Sequence, residues 1–153
     1  MSEDSLWPRA SSWLQPATSS PTQLGLLGVP AAGTSISATG ADHTPAGIRA
    51  ALASFSTFSH SSQKDLRELS FADFGDSEQP DSPEGESRTM DLAKRVAHKS
   101  DLTIALGGDN SITYAVMRGV FGEELSGAGL ITVDAHHDLR DGVSNGSPVR
   151  RLI

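Results

Sequence analysis

Two short segments of this sequence carry residue types suited to chemistry: Gly107-Gly108-Asp109-Asn110-Ser111 and Asp134-Ala135-His136-His137-Asp138. Side chains alternate along an extended backbone, so Asp134, His136 and Asp138 would share one side and bring two carboxylates and an imidazole together. Adjacent carboxylates repel. A divalent cation removes that repulsion and takes the oxygens as ligands. A mixed oxygen and nitrogen set without thiolate suits Mn²⁺, Fe²⁺, Co²⁺ or Zn²⁺. The plainer alternative is that these Asp and His side chains only make hydrogen bonds in turns. The Gly-Gly-Asp-Asn-Ser segment one strand earlier favours the metal. His137 occupies the intervening position and is assigned no catalytic role.

The elements that must position these residues follow from hydrophobic pattern and punctuation. Leu24–Pro30 is an uncharged apolar run ended by proline, as expected of a buried parallel strand. A loop of small residues, 31–40, follows it. Thr44 and Pro45 form a helix start, and Ile48, Ala51, Leu52 and Phe55 fall on one face, predicting a sheet-packed helix over 45–55. Leu69–Phe74 predicts a strand ending at Gly75, and the acidic segment 75–86 a solvated loop. Ser87–Lys99 predicts a helix capped by Ser87, with Lys94, Arg95 and Lys99 toward its C-terminal end. Leu102–Leu106 predicts a strand, 112–119 a helix, and Gly129–Val133 a strand running directly into Asp134. Tyr114 and Met117 are expected in the core. Alternating strands and helices imply an α/β fold with a parallel sheet. With its last two strands side by side, both chemical segments would face one crevice at the strands' carboxyl ends.

Residues 1–22 are rich in Ser, Thr and Pro without periodicity, which predicts a flexible N-terminal arm with Trp7 and Trp13 docked on the body. Residues 23–153 then form a single α/β domain. The 153 residues include 19 acidic against 12 basic, a net charge of −7, which argues against nucleic acid or an anionic membrane as partner. There is no cysteine, so thiolate metal sites, disulfides and thiol nucleophiles are excluded. The uncharged stretch between Ala10 and Ala41 is broken by Pro16, Pro21 and Pro30, so no bilayer-length helix fits. An acidic start without an apolar segment behind it leaves the cytoplasm as the expected compartment.

Gly107-Gly-Asp-Asn-Ser-Ile-Thr113 resembles the Gly-Gly-Asp-His-Ser-[Ile/Val]-Thr motif of the arginase, agmatinase and formimidoylglutamase family of ureohydrolases. Asp134-Ala-His-His-Asp138 is similar to that family's Asp-Ala-His-x-Asp motif, in the right order. The resemblance implies a three-layer α/β/α arginase-like fold, a binuclear Mn²⁺ centre and hydrolysis of a guanidino or formimino C–N bond. By position it implies metal binding by Asn110, Asp134, His136 and Asp138, with Asp134 bridging. Asp134 and Asp138 would also assist proton transfer, and the metal pair would acidify a water. Two departures stand out. Asn110 replaces the family's histidine with a weaker neutral ligand. The chain also ends at Ile153, before the family's Ser-x-Asp-x-Asp motif, so an N-terminal part of a larger domain is expected, with an incomplete metal site.

The segment after Asp138 resembles the formimidoylglutamase branch. That resemblance implies a small amino-acid-derived substrate held by Arg140, Ser144 and Asn145, with Arg140 pairing a carboxylate. Arg140 could instead pair with Asp141 or brace the loop. A catalytically inactive chain with a vestigial metal site is the alternative. Arginase- or agmatinase-type hydrolysis is a lesser one. A deacetylase of related fold ranks last, because only the isolated His43, His60 and His98 lie upstream. An uncovered strand edge would make the chain prone to association, with a homo-oligomer as one expected form.

Overall fold

The computed structural model describes residues 6–153. The uncharged run after Thr22 becomes the central strand β2 (Thr22–Val29), buried from Gly25 to Val29. Strands β5 (Phe71–Asp76) and β6 (Ser100–Gly107) pair with it in parallel on either side, and β1 (Leu14–Pro16) extends the sheet beyond β5, giving the order β1-β5-β2-β6. A separate antiparallel pair, β3 (Phe58–Ser59) and β4 (Lys64–Asp65), lies outside this sheet. The helices are α1 (Ala10–Trp13), α2 (Thr44–Ala51), α3 (Gly85–Ala97), α4 (Ile112–Phe121) and α5 (Pro148–Leu152).

The period-two alternation of β2 assigns the layers. A Cβ at Gly25 would lie 2.6 Å from Val96 of α3, whereas one at Gly28 would lie 2.9 Å from Pro45 of α2. Residues three apart point to opposite faces, so α3 and α2 cover opposite sides of the sheet. On the α3 side, Leu27, Val29, Ala31, Leu92, Ala93 and Val96 form the core, with Ile112, Val116 and Val120 of α4 packed against it. The result is the expected three-layer α/β/α arrangement around a parallel sheet.

The α2 side is held differently from what apolar spacing predicts. Pro45 is buried, but Ile48 and Phe55 are exposed, Phe55 at 61 %. The helix turns Arg49 inward instead. Its Nε and Nη2 donate to the Asp73 carboxylate at 2.6 and 2.8 Å, and Nη1 to Asp76 at 2.6 Å. The Asp73 bond, against opposing burial, raises the affinity of Arg49 for its proton. Burial pushes the Asp73 carboxyl up, but Arg49 and the Gly75 N–H together bring it below its usual range. Asp73 therefore stabilises the fold above its unfolded-state pKa, and that contribution is lost as the pH falls through its lower folded-state value. Arg49→Met strands both carboxylates. It should cost about 1–3 kcal/mol at pH 7 and flatten the fall in stability on the acid side, read from urea midpoints across pH 2.5–7.

Other expectations shift. Of the arm placed over 1–22, Leu14–Pro16 is an edge strand paired with Phe71–Asp73, and Trp13 docks through its indole N–H on the Leu69 carbonyl at 2.7 Å and its ring on Phe71. Residues 1–5 of that arm fall outside the described residues. Neither Thr44 nor Ser87 is a cap: α2 begins at Thr44 behind a short turn, and α3 begins at Gly85.

The largest correction concerns 129–133. This segment is not a strand, and Ile131 and Val133 are exposed at 93 % and 101 %. An apolar run becomes a strand only where a neighbour takes up its backbone N–H and C=O groups. β2 occupies one edge of β6, and 129–133 does not take the other: among the described residues it pairs with no strand. The last two strands are thus not side by side.

Candidate functional site

The carboxyl ends of β2 and β6 meet through backbone bonds. The Gly108 N–H donates to the Val29 carbonyl and the Asp109 N–H to the Ala31 carbonyl, both at 2.8 Å. This joins the small-residue loop 31–40 to the Gly107–Ser111 turn. The segment 134–147 closes over both, and between them lies a cleft of about 580 Å³. Asn110, Asp134, His136, Asp138, Arg140 and Asn145 all line it. Two loops that are distant in sequence and not joined by adjacent strands still face one space. Ser144 does not line it. Its hydroxyl accepts from the Gly146 N–H at 3.2 Å, and its N–H donates to Ser147 Oγ at 2.7 Å, making a tight turn.

Asp138 is the most protected of the acidic residues on this wall, 6 % exposed, with a left-handed backbone at φ 54°. Asn110 Nδ2 donates to its Oδ2 at 2.7 Å, and the Arg150 N–H donates to its carbonyl at 3.1 Å. Asp134 is engaged with its neighbour: Oδ1 accepts from the His136 N–H at 2.8 Å and lies 3.2 Å from His136 Nδ1. The His136 N–H, and after it the ring, hold the Asp134 carboxyl below its usual range. His137 also faces the cleft.

Among the described residues, no three His, Asp or Glu side chains are gathered closely enough to hold a metal ion as they stand. The chemistry of the donor set nevertheless suits one divalent cation, since two carboxylates and one imidazole line a single cleft. It falls short of a metal pair.

Arg140 has a clear setting. Its N–H donates to the Gly146 carbonyl at 3.0 Å, and its stem lies over Gly146, where an added Cβ would meet Cδ at 3.0 Å. Asp141 pairs with Arg150 at 2.7 Å rather than with Arg140. The Arg140 guanidinium has no carboxylate partner among the described residues.

Sequence pattern did not assign a role to the 34–37 loop. Ile36 and Ser37 line the cleft. Asn145 ties them in, accepting from the Ile36 N–H through Oδ1 and donating its own N–H to the Thr34 carbonyl, both at 3.3 Å. Ser35 Oγ donates to Asp109 Oδ2, while Asp109 Oδ1 accepts from the Ser111 N–H at 3.0 Å. Asp109 therefore organises both turns. The one available signal was position, a small-residue loop at the carboxyl end of a buried strand.

Residues 22–153 match the Arginase family. The chain is 35 % identical over 137 residues to a formimidoylglutamase of Halalkalibacterium halodurans, covering 84 % of this chain and 43 % of that protein. It is 34 % identical to the formimidoylglutamase of Bacillus subtilis, with 84 % and 42 % covered. The solved structure of a Bacillus subtilis formimidoylglutamase superimposes with a TM-score of 0.84 at 28 % identity, covering all of this chain and 50 % of that one. A Trypanosoma cruzi formiminoglutamase solved with Mn²⁺ has the same fold, with a TM-score of 0.78 at 24 % identity over 95 % of this chain and 52 % of that one. The chain spans less than half the length of the curated relatives it matches.

Proposed function

Because this chain belongs to the arginase family across residues 22–153, we propose that its cleft serves hydrolysis of a linear amidine C–N bond, with formimidoylglutamate the favoured substrate. One observation carries the substrate reading. An arginine with no carboxylate partner among the described residues, Arg140, shares a cleft with Asp134, His136 and Asp138. A guanidinium so placed suits a substrate carboxylate through paired hydrogen bonds. The likeness to formimidoylglutamases supports the same choice.

Asp134, His136 and Asp138 would hold a divalent cation, for which Mn²⁺ is favoured by the Mn²⁺ described for the Trypanosoma cruzi relative. When bound, such a cation supplies a nucleophile at neutral pH by acidifying water. In the reaction, a water oxygen bonds to the formimino carbon. The bond from that carbon to the glutamate nitrogen breaks, releasing formamide and glutamate. Arg140 fixes the carboxylate end, and Asp134 and Asp138 take the proton from the water and return it to the departing nitrogen. Ile36 and Ser37 also line the cleft.

The test is to incubate the chain with Mn²⁺ and formimidoyl-L-glutamate and follow formamide, with arginine and agmatine assayed in parallel for urea. Formamide release from the first alone supports the reading. Urea release from arginine or agmatine without formamide overturns the substrate choice.

Arg140→Leu sharpens this. Loss of a charge-assisted pair should raise KM for formimidoylglutamate by roughly 10- to 100-fold with little change in kcat. An unchanged KM would remove Arg140 from substrate binding.

A second reading is favoured by the absence, among the described residues, of a gathered set of three metal-binding side chains. In it the chain binds one cation weakly and is not itself a hydrolase. Calorimetry with Mn²⁺ separates the two: tight binding of two ions contradicts the vestigial reading, while weak binding of one ion without turnover supports it.

A further inference from the structure

Ile36 is out of keeping with the wall it stands in. The cleft is lined mainly by polar and charged side chains, yet Ile36 is among them with 55 % of its surface exposed. An apolar side chain left open to water forgoes its transfer free energy until something covers it. Looseness of the loop does not account for the exposure. The Ile36 N–H donates to Asn145 Oδ1 and the Asn145 N–H to the Thr34 carbonyl, both at 3.3 Å, and the Ser35 hydroxyl is bound to Asp109. The same dipeptide, Asn145-Gly146, also holds Arg140, whose N–H donates to the Gly146 carbonyl at 3.0 Å. The bare Cα of Gly146 lets the two side chains come together: a Cβ added there would lie 3.0 Å from Arg140 Cδ and 3.3 Å from Ile36 Cδ1. Ile36 thus stands beside the stem of Arg140, whose guanidinium has no carboxylate partner among the described residues.

We infer that Ile36 is a specificity-determining residue, which reads the two methylenes between the distal carboxylate of a glutamate-type ligand and the carbon that carries its amidine. The inference rests on the reading of the cleft as a formimidoylglutamate site, and it adds which of the two carboxylates Arg140 takes. A ligand held on Arg140 by its distal carboxylate leads its methylenes past Ile36, while its cationic amidine reaches toward Asp134 and Asp138. Both ends are then fixed by charge, and the apolar contact between them measures length. An aspartate-type ligand, one methylene shorter, leaves part of Ile36 uncovered or gives up one charged end. An aminoadipate-type ligand, one methylene longer, must buckle against Ile36. One methylene in an apolar contact is worth about 10- to 200-fold in discrimination.

The experiment titrates the whole chain and its Ile36→Ala variant with formimidoyl-L-aspartate, formimidoyl-L-glutamate and formimidoyl-L-2-aminoadipate by calorimetry, with a chelator present so that binding is read without turnover. The parent should prefer the glutamate compound over each neighbour by roughly tenfold or more. In Ile36→Ala that preference should shrink to about threefold or less, chiefly through weaker binding of the glutamate compound. Its Tm should stay within about 2 °C of the parent's, because a half-exposed side chain contributes little to folding. A variant that keeps the parent's preference overturns the inference. So does an equal loss for all three compounds, which would mean that Ile36 only holds Arg140 in place. A parent that binds all three alike overturns it as well and leaves the carboxylate role of Arg140 standing. A parent that binds none of them overturns the substrate reading, and this inference with it. If Ile36→Ala does not fold, Ile36→Val decides: it removes only Cδ1 and should reduce the preference for the glutamate compound roughly threefold.

Discussion

Asp138→Ala should lower Mn²⁺ affinity by on the order of a hundredfold or more and remove any formamide release with it, since loss of even an outer partner of a metal ligand costs about 10- to 100-fold. The expectation draws on three features of one residue. Asp138 is nearly enclosed, its backbone is left-handed, and its carboxylate is held by Asn110. Alanine deletes a donor atom for the proposed cation, leaves the Asn110 amide only its long 3.4 Å contact with the Asn145 carbonyl, and fits the left-handed backbone poorly. Asp138→Asn separates these effects. Asparagine tolerates the same backbone and can still accept from Asn110 through its amide oxygen, so folding should be kept while metal affinity falls. Calorimetry with Mn²⁺ and a thermal melt on each variant give the two readouts. If Asp138→Asn binds Mn²⁺ as the parent does, Asp138 is not a ligand.

Gly108→Ala should destabilise the chain by about 3 kcal/mol or more, at the upper end for an overpacked site. A Cβ at 108 would stand 2.0 Å from the Ala31 oxygen and 2.5 Å from its nitrogen. These are backbone atoms, and no rotamer change relieves the clash. The loops must part, losing the 2.8 Å bonds from Gly108 to Val29 and from Asp109 to Ala31. Those same bonds hold two walls of the cleft together, so Mn²⁺ affinity should fall along with the urea midpoint. Gly47→Ala is the control, because nothing lies within 4 Å of its added Cβ and it sits in the interior of α2. It should be neutral or slightly stabilising. Equal midpoints for Gly108→Ala and the parent would contradict the packing argument.

The strands around the core were legible because each is a self-contained apolar run: 24–30 against the observed 22–29, and 102–106 against 100–107. Helices α3 and α4 were legible from their spacing. What failed depended on partners far away in sequence. Residues 129–133 have the composition of a buried strand, but composition reports what a segment would bury and not whether a neighbour lies beside it. The face of α2 was misassigned because Arg49 is drawn inward by Asp73 and Asp76, carboxylates on a strand that periodicity within the helix cannot sense. In the site, the two motifs pointed Asn110, Asp134, His136 and Asp138 at one crevice and the segment after them added Arg140, and all five line one cleft. The 34–37 loop escaped notice because its ties to Asn145 run through backbone atoms, which carry no residue-type signature. The direction of the Asn110 amide was likewise invisible, since an asparagine in a motif does not reveal which of its two ends meets a neighbour.

The segment from Asp138 to Ser147 is closed at both ends. Asp138 receives the Arg150 N–H at its carbonyl, and α5 is anchored by Arg151, whose guanidinium binds Glu86 of α3 through two bonds of 2.6 and 2.8 Å and stacks 3.6 Å over Tyr114. A loop pinned this way has few conformations left to surrender when a ligand arrives, so part of the ordering entropy of binding is met during folding. Glu86 lies outside the cleft itself. Even so, it sets how much disorder the cleft wall retains, and weakening its hold on Arg151 would reduce affinity without altering a single ligand contact.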